Sequence, residues 1–198
     1  MTPTAALADR LGTFGYLYYR HIPGGDRCYS PGIDLTTPLA DTRVHLIGDL
    51  TGLFCDESEY GFSGFELTGR LGYDLIDDGF AFGPFIGGVG FYGSGRTRDR
   101  LNNYNYDIRE TGPTLGVFLT HETDDLVLRL IYENRDIERT VTNQFGGSER
   151  DFDFIAASLT AGWKLDRLYP GLTAVFGYAA LPSVEQLRLG VGFRPGAR

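Results

Sequence analysis

The sequence predicts an all-β fold, an up-and-down antiparallel β-barrel of about ten strands, with eight as the alternative count. Three observations lead to this prediction. Apolar and polar residues alternate with a period of two in many segments, the chain is rich in Gly (28), Tyr (12) and Phe (14), and the connections between segments alternate in length. Such a composition suits strands and turns better than helices.

Strand candidates follow one another along the whole chain, bounded by Gly, Pro, Asn or Asp. The clearest is 65–75, where apolar residues and glycine form one face while Glu66, Arg70 and Asp74 lie on the other. No helical period of comparable length competes with this alternation. In chain order the candidates are 12–22, 29–36, 43–54, 65–75, 80–92, 108–120, 126–135, 155–165, 172–179 and 187–194.

The chain is predicted to be one domain over 1–198, because no Pro/Ser-rich linker or abrupt change in composition divides it. It lacks the run of about 18 apolar residues that a transmembrane helix needs, but a membrane-crossing strand needs only about 9–11 residues of alternating polarity. The N-terminus has neither the basic nor the apolar region of a signal peptide. If the chain is exported, we expect this to be the mature sequence.

The connections give the predicted barrel an orientation. Short turns are expected near 37–41, 77–78, 122–125 and 166–170, and longer polar loops near 22–29, 56–63, 94–106 and 140–150. Outer-membrane barrels have short periplasmic turns and longer external loops. Both termini are therefore expected in the periplasm, including a short segment 1–11 in which 4–10 allow a helical turn. The last connection, 180–183, is short and departs from this rule.

Alternation alone does not say which face of the barrel is wet, because a soluble lipocalin-like barrel has the same pattern with its apolar face inside. Two features favour an apolar face that contacts lipid. Aromatic residues collect at strand ends, where girdles are expected, with Tyr18, Tyr73, Tyr132, Trp163 and Phe193 as the candidates. The polar face mixes opposite charges, and its predicted lumen-lining residues are Glu66, Arg70, Asp74, Arg129, Glu133, Lys164 and Arg188.

The last strand ends in an apolar stripe that closes on Phe193, as does the C-terminal strand of outer-membrane proteins. Over its whole length the chain resembles the general class of small bacterial outer-membrane β-barrel proteins, by pattern rather than by a family motif. The resemblance implies a place in the outer membrane of a Gram-negative bacterium, contact with the lipid bilayer and lipopolysaccharide, and insertion by the barrel-assembly machinery. It carries over no binding residue.

Cys28 and Cys55 lie at equal distances from a hairpin centre between Asp41 and Thr42. Directly opposed residues of neighbouring strands can form a disulfide, and the cell surface is oxidising. We therefore expect a disulfide that joins the first two external loops, with two free thiols as the alternative. The pair has no C-x-x-C spacing and no further ligands, which disfavours a metal or redox role.

The sequence predicts a non-enzymatic protein without metal or cofactor. We expect a surface scaffold whose loops near 94–106 and 140–150 contact extracellular molecules or an envelope protein. A narrow pore for small solutes is one alternative. An omptin-like hydrolase is another, since His21 lies at the predicted external mouth, where Asp136, Asp151 and Asp153 could approach it.

Nucleic acid and calcium are two further ligands on which the charge and the residue spacing of the chain bear. The net charge of −8 disfavours nucleic acid as a partner. The stretch 99–107 offers oxygen ligands for calcium but lacks the spacing of an EF-hand loop, so it is only a weak candidate.

Overall fold

A computed structural model describes residues 12–21, 27–39, 42–56, 60–76, 80–98, 103–181 and 184–193. These residues form ten strands joined by turns. None of the described residues belongs to a helix with the length and apolar character needed to cross a membrane. The strands are β1 (Gly12–His21), β2 (Arg27–Pro38), β3 (Val44–Asp56), β4 (Tyr60–Tyr73), β5 (Phe80–Arg98), β6 (Asn103–Glu122), β7 (Leu126–Asn143), β8 (Gly146–Lys164), β9 (Leu172–Leu181) and β10 (Val184–Phe193).

Each strand pairs with the next in antiparallel register, in the order β1 to β10. β10 also lies alongside β1, so the sheet curls round until its first and last strands meet. Spatial order equals chain order, which allows every connection to be short. The predicted all-β, up-and-down architecture is confirmed, with ten strands in the described part of the chain rather than eight.

The outward face carries an apolar band over the middle of the strands. Ile86, Leu115 and Val191 are 65%, 63% and 63% exposed, and many other large apolar side chains face outward with them. Leaving such a continuous apolar surface in water would be unfavourable, whereas the hydrocarbon of a bilayer solvates it. The prediction that the apolar face points outward is therefore confirmed.

The inward face combines polar residues with one apolar cluster, formed by Ile47, Phe85, Phe118 and Ile131. Phe118 fits against the barrel wall because it lies over Gly72: a Cβ atom at Gly72 would come within 2.5 Å of the Phe118 ring. A glycine on β4, two strands away from β6, thus makes room for an inward aromatic ring. This cluster fills the lumen on the periplasmic side.

Strands β5 to β8 are much longer than the others, with 19, 20, 18 and 19 residues. At about 3.3 Å per residue and a tilt of roughly 40°, such a strand covers about 45 Å along the membrane normal. The apolar band of an outer-membrane barrel is only about 25 Å tall. The excess lies opposite the chain termini, which is the external end in the predicted orientation. We call residues 93–98, 103–112, 134–143 and 146–154 the protruding sheet.

The predicted loops at 94–106 and 140–150 are corrected by this finding. β5 runs to Arg98, β6 begins at Asn103, and β7 and β8 are joined by a turn of two residues, 144–145. The outward residues of these segments are polar because they lie beyond the apolar band. Their polarity therefore resembles that of a loop, although the backbone continues as a paired strand.

Candidate functional site

Charged side chains from opposite walls of the barrel meet in the lumen. Arg70 of β4 donates to both carboxylate oxygens of Glu133 on β7, through Nε to Oε2 at 2.8 Å and Nη2 to Oε1 at 2.9 Å. Arg70 Nη1 also donates to Asp49 of β3 at 2.6 Å. Arg70 and Glu133 are only 3% and 2% exposed. This two-pronged pair therefore closes the middle of the lumen.

A second arginine extends the contacts to the first half of the chain. Arg129 of β7 donates to both carboxylate oxygens of Asp34 on β2 and to Thr36 Oγ1 at 2.9 Å. Its Nη2 atom also lies 3.1 Å from Asp49 Oδ1. Asp49 thus accepts hydrogen bonds from two arginines, Arg70 and Arg129, and links the two clusters.

A third arginine completes the arrangement. Arg135 donates to Glu133 Oε1 at 2.7 Å and to Glu66 Oε1 at 3.1 Å. Thr114 of β6 donates its hydroxyl proton to Glu133 Oε2 at 2.7 Å. We call the seven charged residues the lumenal network: Asp34, Asp49, Glu66, Arg70, Arg129, Glu133 and Arg135.

The lumenal network is nearly neutral, because it joins three arginines to four carboxylates. Charges removed from bulk water are tolerated only when they are paired and hydrogen-bonded. The guanidinium of Arg70 also lies 5.5 Å from the ring of Phe85, where the network meets the apolar cluster. A lumenal cavity of about 60 Å³ lies beside the network, which is room for a few water molecules.

The structure distributes the predicted lumen-lining residues over several places. Glu66, Arg70, Arg129 and Glu133 belong to the lumenal network. Asp74 instead accepts hydrogen bonds from the backbone N–H groups of Ile76 and Phe82, and so closes the β4–β5 turn. Lys164 donates to Glu122 at 2.6 Å near the periplasmic end. The side chain of Arg188 lies outside the described residues.

The predicted set of lumen-lining residues lacked three members of the network, Asp34, Asp49 and Arg135, although the alternation in 126–135 had already placed Arg135 on the polar face. Each stands on the inward side of its strand, so the period of two carried the necessary signal. The alternation in 29–36 and 43–54 is weak, because glycine and proline interrupt it. The two aspartates therefore did not stand out as lumenal residues.

The predicted girdle residues whose side chains the structure describes lie on the outward face. Tyr73, Tyr132 and Trp163 are 49%, 49% and 58% exposed. The side chains of Tyr18 and Phe193 lie outside the described residues. Amphipathic rings at such positions suit the boundary between hydrocarbon and water.

Ring contacts between neighbouring strands accompany these residues. Phe65 and Tyr92 lie 6.0 Å apart toward the external end, and Phe80 stacks on His121 at 4.1 Å at the periplasmic end. Both pairs stand on the outward side of their strands. His121 is therefore part of a boundary stack.

The β2–β3 register places Cys28 directly opposite Cys55. Cys28 is the other cysteine of the chain, and its side chain lies outside the described residues. The register allows the predicted bridge between them. The bridge itself stays a prediction.

The inner face of the protruding sheet and its neighbour β4 is lined with aromatic rings. Phe62 stacks with Phe91 at 5.9 Å and with Tyr106 at 6.3 Å. Tyr104 contacts Tyr106 at 6.5 Å and Phe145 of the β7–β8 turn at 6.2 Å. This aromatic surface continues the inward face of the barrel into the external space.

The outer face of the protruding sheet is acidic on β7 and β8. Asp136 lies opposite Asp153 and Glu138 lies opposite Asp151, and all four side chains are exposed. In the omptin-like hypothesis, Asp136, Asp151 and Asp153 were carboxylates that could approach His21 across the mouth. It is wrong for these carboxylates, because they point away from the lumen; the side chain of His21 lies outside the described residues.

Residues 99–102 of the candidate calcium stretch 99–107 lie outside the described residues. Among the residues that are described, no group of three or more His, Cys, Asp or Glu side chains is arranged to hold a metal ion.

No family model matches the sequence, and no curated protein matches it. Among solved structures, the translocator domain of the autotransporter NalP from Neisseria meningitidis aligns with 96% of this chain and 92% of its own, at a TM-score of 0.50 and 11% identity. Ail, the attachment invasion locus protein of Yersinia pestis, aligns over 91% and 94% at a TM-score of 0.36 and 14% identity. The beta domain of the Bordetella autotransporter BrkA aligns over 92% and 97% at a TM-score of 0.37 and 11% identity.

Sequence identities this low show only that the folds are alike. The likeness rests on the NalP domain. The outward apolar band and the charged lumen agree with that likeness. The chain therefore has the fold of a small β-barrel of the Gram-negative outer membrane.

Proposed function

We propose that this protein is a non-enzymatic outer-membrane scaffold with a closed lumen, which uses its protruding sheet to bind molecules outside the cell. The observation that carries the proposal is the length of β5 to β8. A barrel that only had to cross the membrane would need strands of about 9–11 residues. The additional length forms a paired, rigid surface beyond the apolar band, where contact with lipid gives no reason for it.

The two faces of the protruding sheet differ in chemistry, as expected of a recognition surface. Aromatic rings such as Phe62 and Tyr106 line the inner face, whereas carboxylates such as Glu138 and Asp151 line the outer one. Aromatic side chains supply large contact areas with little loss of conformational freedom. Clustered charges of one sign select partners of the opposite sign.

The lumen argues against the alternative of a narrow pore. The Arg70–Glu133 and Arg129–Asp34 pairs cross it, and the apolar cluster around Phe118 lies beside them. Barrels of this size are commonly filled by their own side chains. Passage of a hydrated solute would require several buried ion pairs to separate, which is strongly unfavourable.

A trimmed variant tests the role of the protruding sheet. Residues 138–151 are replaced by Asn-Gly, which joins the paired residues Ile137 and Phe152 through a two-residue turn and keeps the register of β7 and β8. Cells that display the full or the trimmed chain are applied to surfaces coated with a polycationic protein, a polyanionic polysaccharide or a neutral glycan. We expect the full chain, at equal surface density, to retain more cells on at least one coating.

Planar-bilayer recordings on the purified full chain complete the test. We expect no steady single-channel current. Steady current would overturn the closed lumen, and equal retention of cells with the full and trimmed chains on every coating would overturn the binding role.

A further inference from the structure

One edge of the protruding sheet has no neighbouring strand among the residues that the structure describes. β8 pairs with β7 from Gly146 to Trp163, but its pairing with β9 begins only at Ala157, opposite Ala180. Within the described part of the chain, residues 146–156 therefore have a strand on one side only. The backbone N–H and C=O groups on the other side have no strand partner among the described residues.

The features that usually block such an edge are few here. Residues 146–156 contain no proline, and their pairing with β7 continues without a bulge. A long, regular edge strand is a template onto which another extended chain can pair. Charged side chains are the protection that the sequence does provide, and on the outer face of 146–156 they have one sign.

These charges disfavour a second copy of the chain as the occupant. Glu149, Asp151 and Asp153 all stand on the outer face of the edge, and all are exposed. Two such edges paired with each other would bring carboxylates of both copies together on one face. Like charges that are opposed across strands are destabilising.

The same carboxylates favour a basic occupant. Asp151 and Asp153 already lie opposite Glu138 and Asp136 of β7, so carboxylates of the two strands repel one another on the outer face. Lys or Arg side chains on an added strand would stand on the other side of β8 and relieve it. Arg109 is a cation on the same outer face, but its guanidinium packs on Tyr92. It belongs to β6, two strands away from this edge.

The inner face of the edge favours a different type of side chain on an added strand. Phe152 and Phe154 stand there, both half-buried, together with the exposed Arg150, and the guanidinium of Arg139 lies 4.6 Å from the ring of Phe152. Arg139 is itself engaged by Glu110 at 2.5 Å. Residues of an added strand that point inward would therefore pack beside aromatic rings, and apolar side chains fit there.

We infer that the free edge of β8, residues 146–156, binds an extended segment of a protein partner in which Lys or Arg alternates with apolar residues. The segment adds to the sheet as a further strand. Backbone hydrogen bonds supply affinity, while the alternation matches the acidic outer face and the aromatic inner face. This inference rests on the proposed function and names the chemistry of its partner.

The test uses the full chain in nanodiscs of uncharged lipid and a short fluorescent peptide of alternating Lys and Val. Fluorescence anisotropy is expected to show saturable binding that weakens with salt. A peptide with Glu in place of Lys should not bind. A Lys-Val peptide with alternate backbone nitrogens methylated keeps its charge but loses ladder hydrogen bonds, and it should bind at least about tenfold more weakly.

A charge-reversed variant locates the site. Asp151→Lys together with Asp153→Lys should weaken binding of the Lys-Val peptide by at least about tenfold. Asp124→Lys together with Asp125→Lys, an equal change in the exposed β6–β7 turn at the other end of the barrel, should leave it unchanged. The mobility of unheated protein on SDS gels checks that both variants fold.

Equal binding of the methylated and unmethylated peptides would overturn strand addition, and this arm needs no variant. Equal binding of the Glu and Lys peptides, or an unchanged affinity in the Asp151/Asp153 variant, would overturn the basic partner. Failure of this inference is distinguishable from failure of the proposed function. In the first case the peptide does not bind but the full chain still retains more cells than the trimmed chain, whereas in the second the two chains retain equal numbers.

Discussion

Replacement of Glu133 by alanine is expected to destabilise the barrel by about 3–5 kcal/mol, the usual effect of removing one partner from a buried charge pair. Glu133 accepts two hydrogen bonds from Arg70, one from Arg135 and one from Thr114. Its loss leaves Arg70, which is 3% exposed, with Asp49 as its remaining carboxylate partner. The cost arises mainly because the guanidinium stays buried after it has lost two of its three hydrogen bonds to carboxylates.

The free energy of unfolding can be measured by urea titration of the barrel in lipid vesicles, followed by the fluorescence of the single tryptophan, Trp163. Glu138→Ala is the matched control. Glu138 stands on the same strand but is exposed on the outer face, so its replacement should change the stability by less than about 0.5 kcal/mol.

A double variant separates the pair from its surroundings. Arg70→Leu combined with Glu133→Leu removes both charges and fills their space, so it should destabilise by less than the sum of the two single changes. The reasoning would be refuted if Glu133→Ala stayed within about 1 kcal/mol of the parent chain, because that result requires a hydrated lumen in which the ion pairs do not control packing.

Three further predictions concern the barrel wall and the lumen. The intact mass of the oxidised protein should be lower than that of the reduced protein by the mass of two hydrogen atoms, and Cys28→Ala should abolish the difference; a free thiol at Cys55 in the parent chain would contradict the bridge. Gly72→Ala should destabilise by about 1–3 kcal/mol, since its Cβ meets Phe118, whereas Gly69→Ala, which has open space, should have little effect. Phe118→Ala should cost about 3–5 kcal/mol in the same titration, and a change below about 1 kcal/mol would contradict the packed cluster.

The strict alternation in 65–75, 126–135 and 155–165 allowed the position and the facing of these parts of β4, β7 and β8 to be predicted. Along β4, for example, Arg70 stands on the inward face and Leu71 on the outward one, as the period of two requires. Where glycine and proline interrupt the alternation, as in β2, the strand was predicted but the role of Asp34 was not. Periodicity predicts on which face of its strand a residue stands, and this depends only on residues nearby in the sequence.

Two other features could not be predicted, for physical reasons. Periodicity says that Arg129 points inward, but which carboxylate it meets depends on the curvature and stagger of the closed barrel. Beyond the membrane boundary, a paired strand and a solvated loop both have polar residues, such as Asn134 and Thr140, on their outward side. The upper ends of β5 to β8 therefore resembled loops in the sequence.

The most direct test of this account is a spin-label scan along the outward face of β7, in a lipid bilayer, with oxygen and a water-soluble nickel chelate as relaxation agents. Labels at Leu128, Leu130 and Tyr132 should be relaxed mainly by oxygen, as expected in hydrocarbon. Labels at Asp136 and Glu138 should be relaxed mainly by the nickel chelate, which marks a paired strand that has left the membrane. Access of the nickel chelate to Leu128 and Leu130 would contradict the lipid-facing band, and oxygen dominance at Asp136 and Glu138 would contradict the protruding sheet.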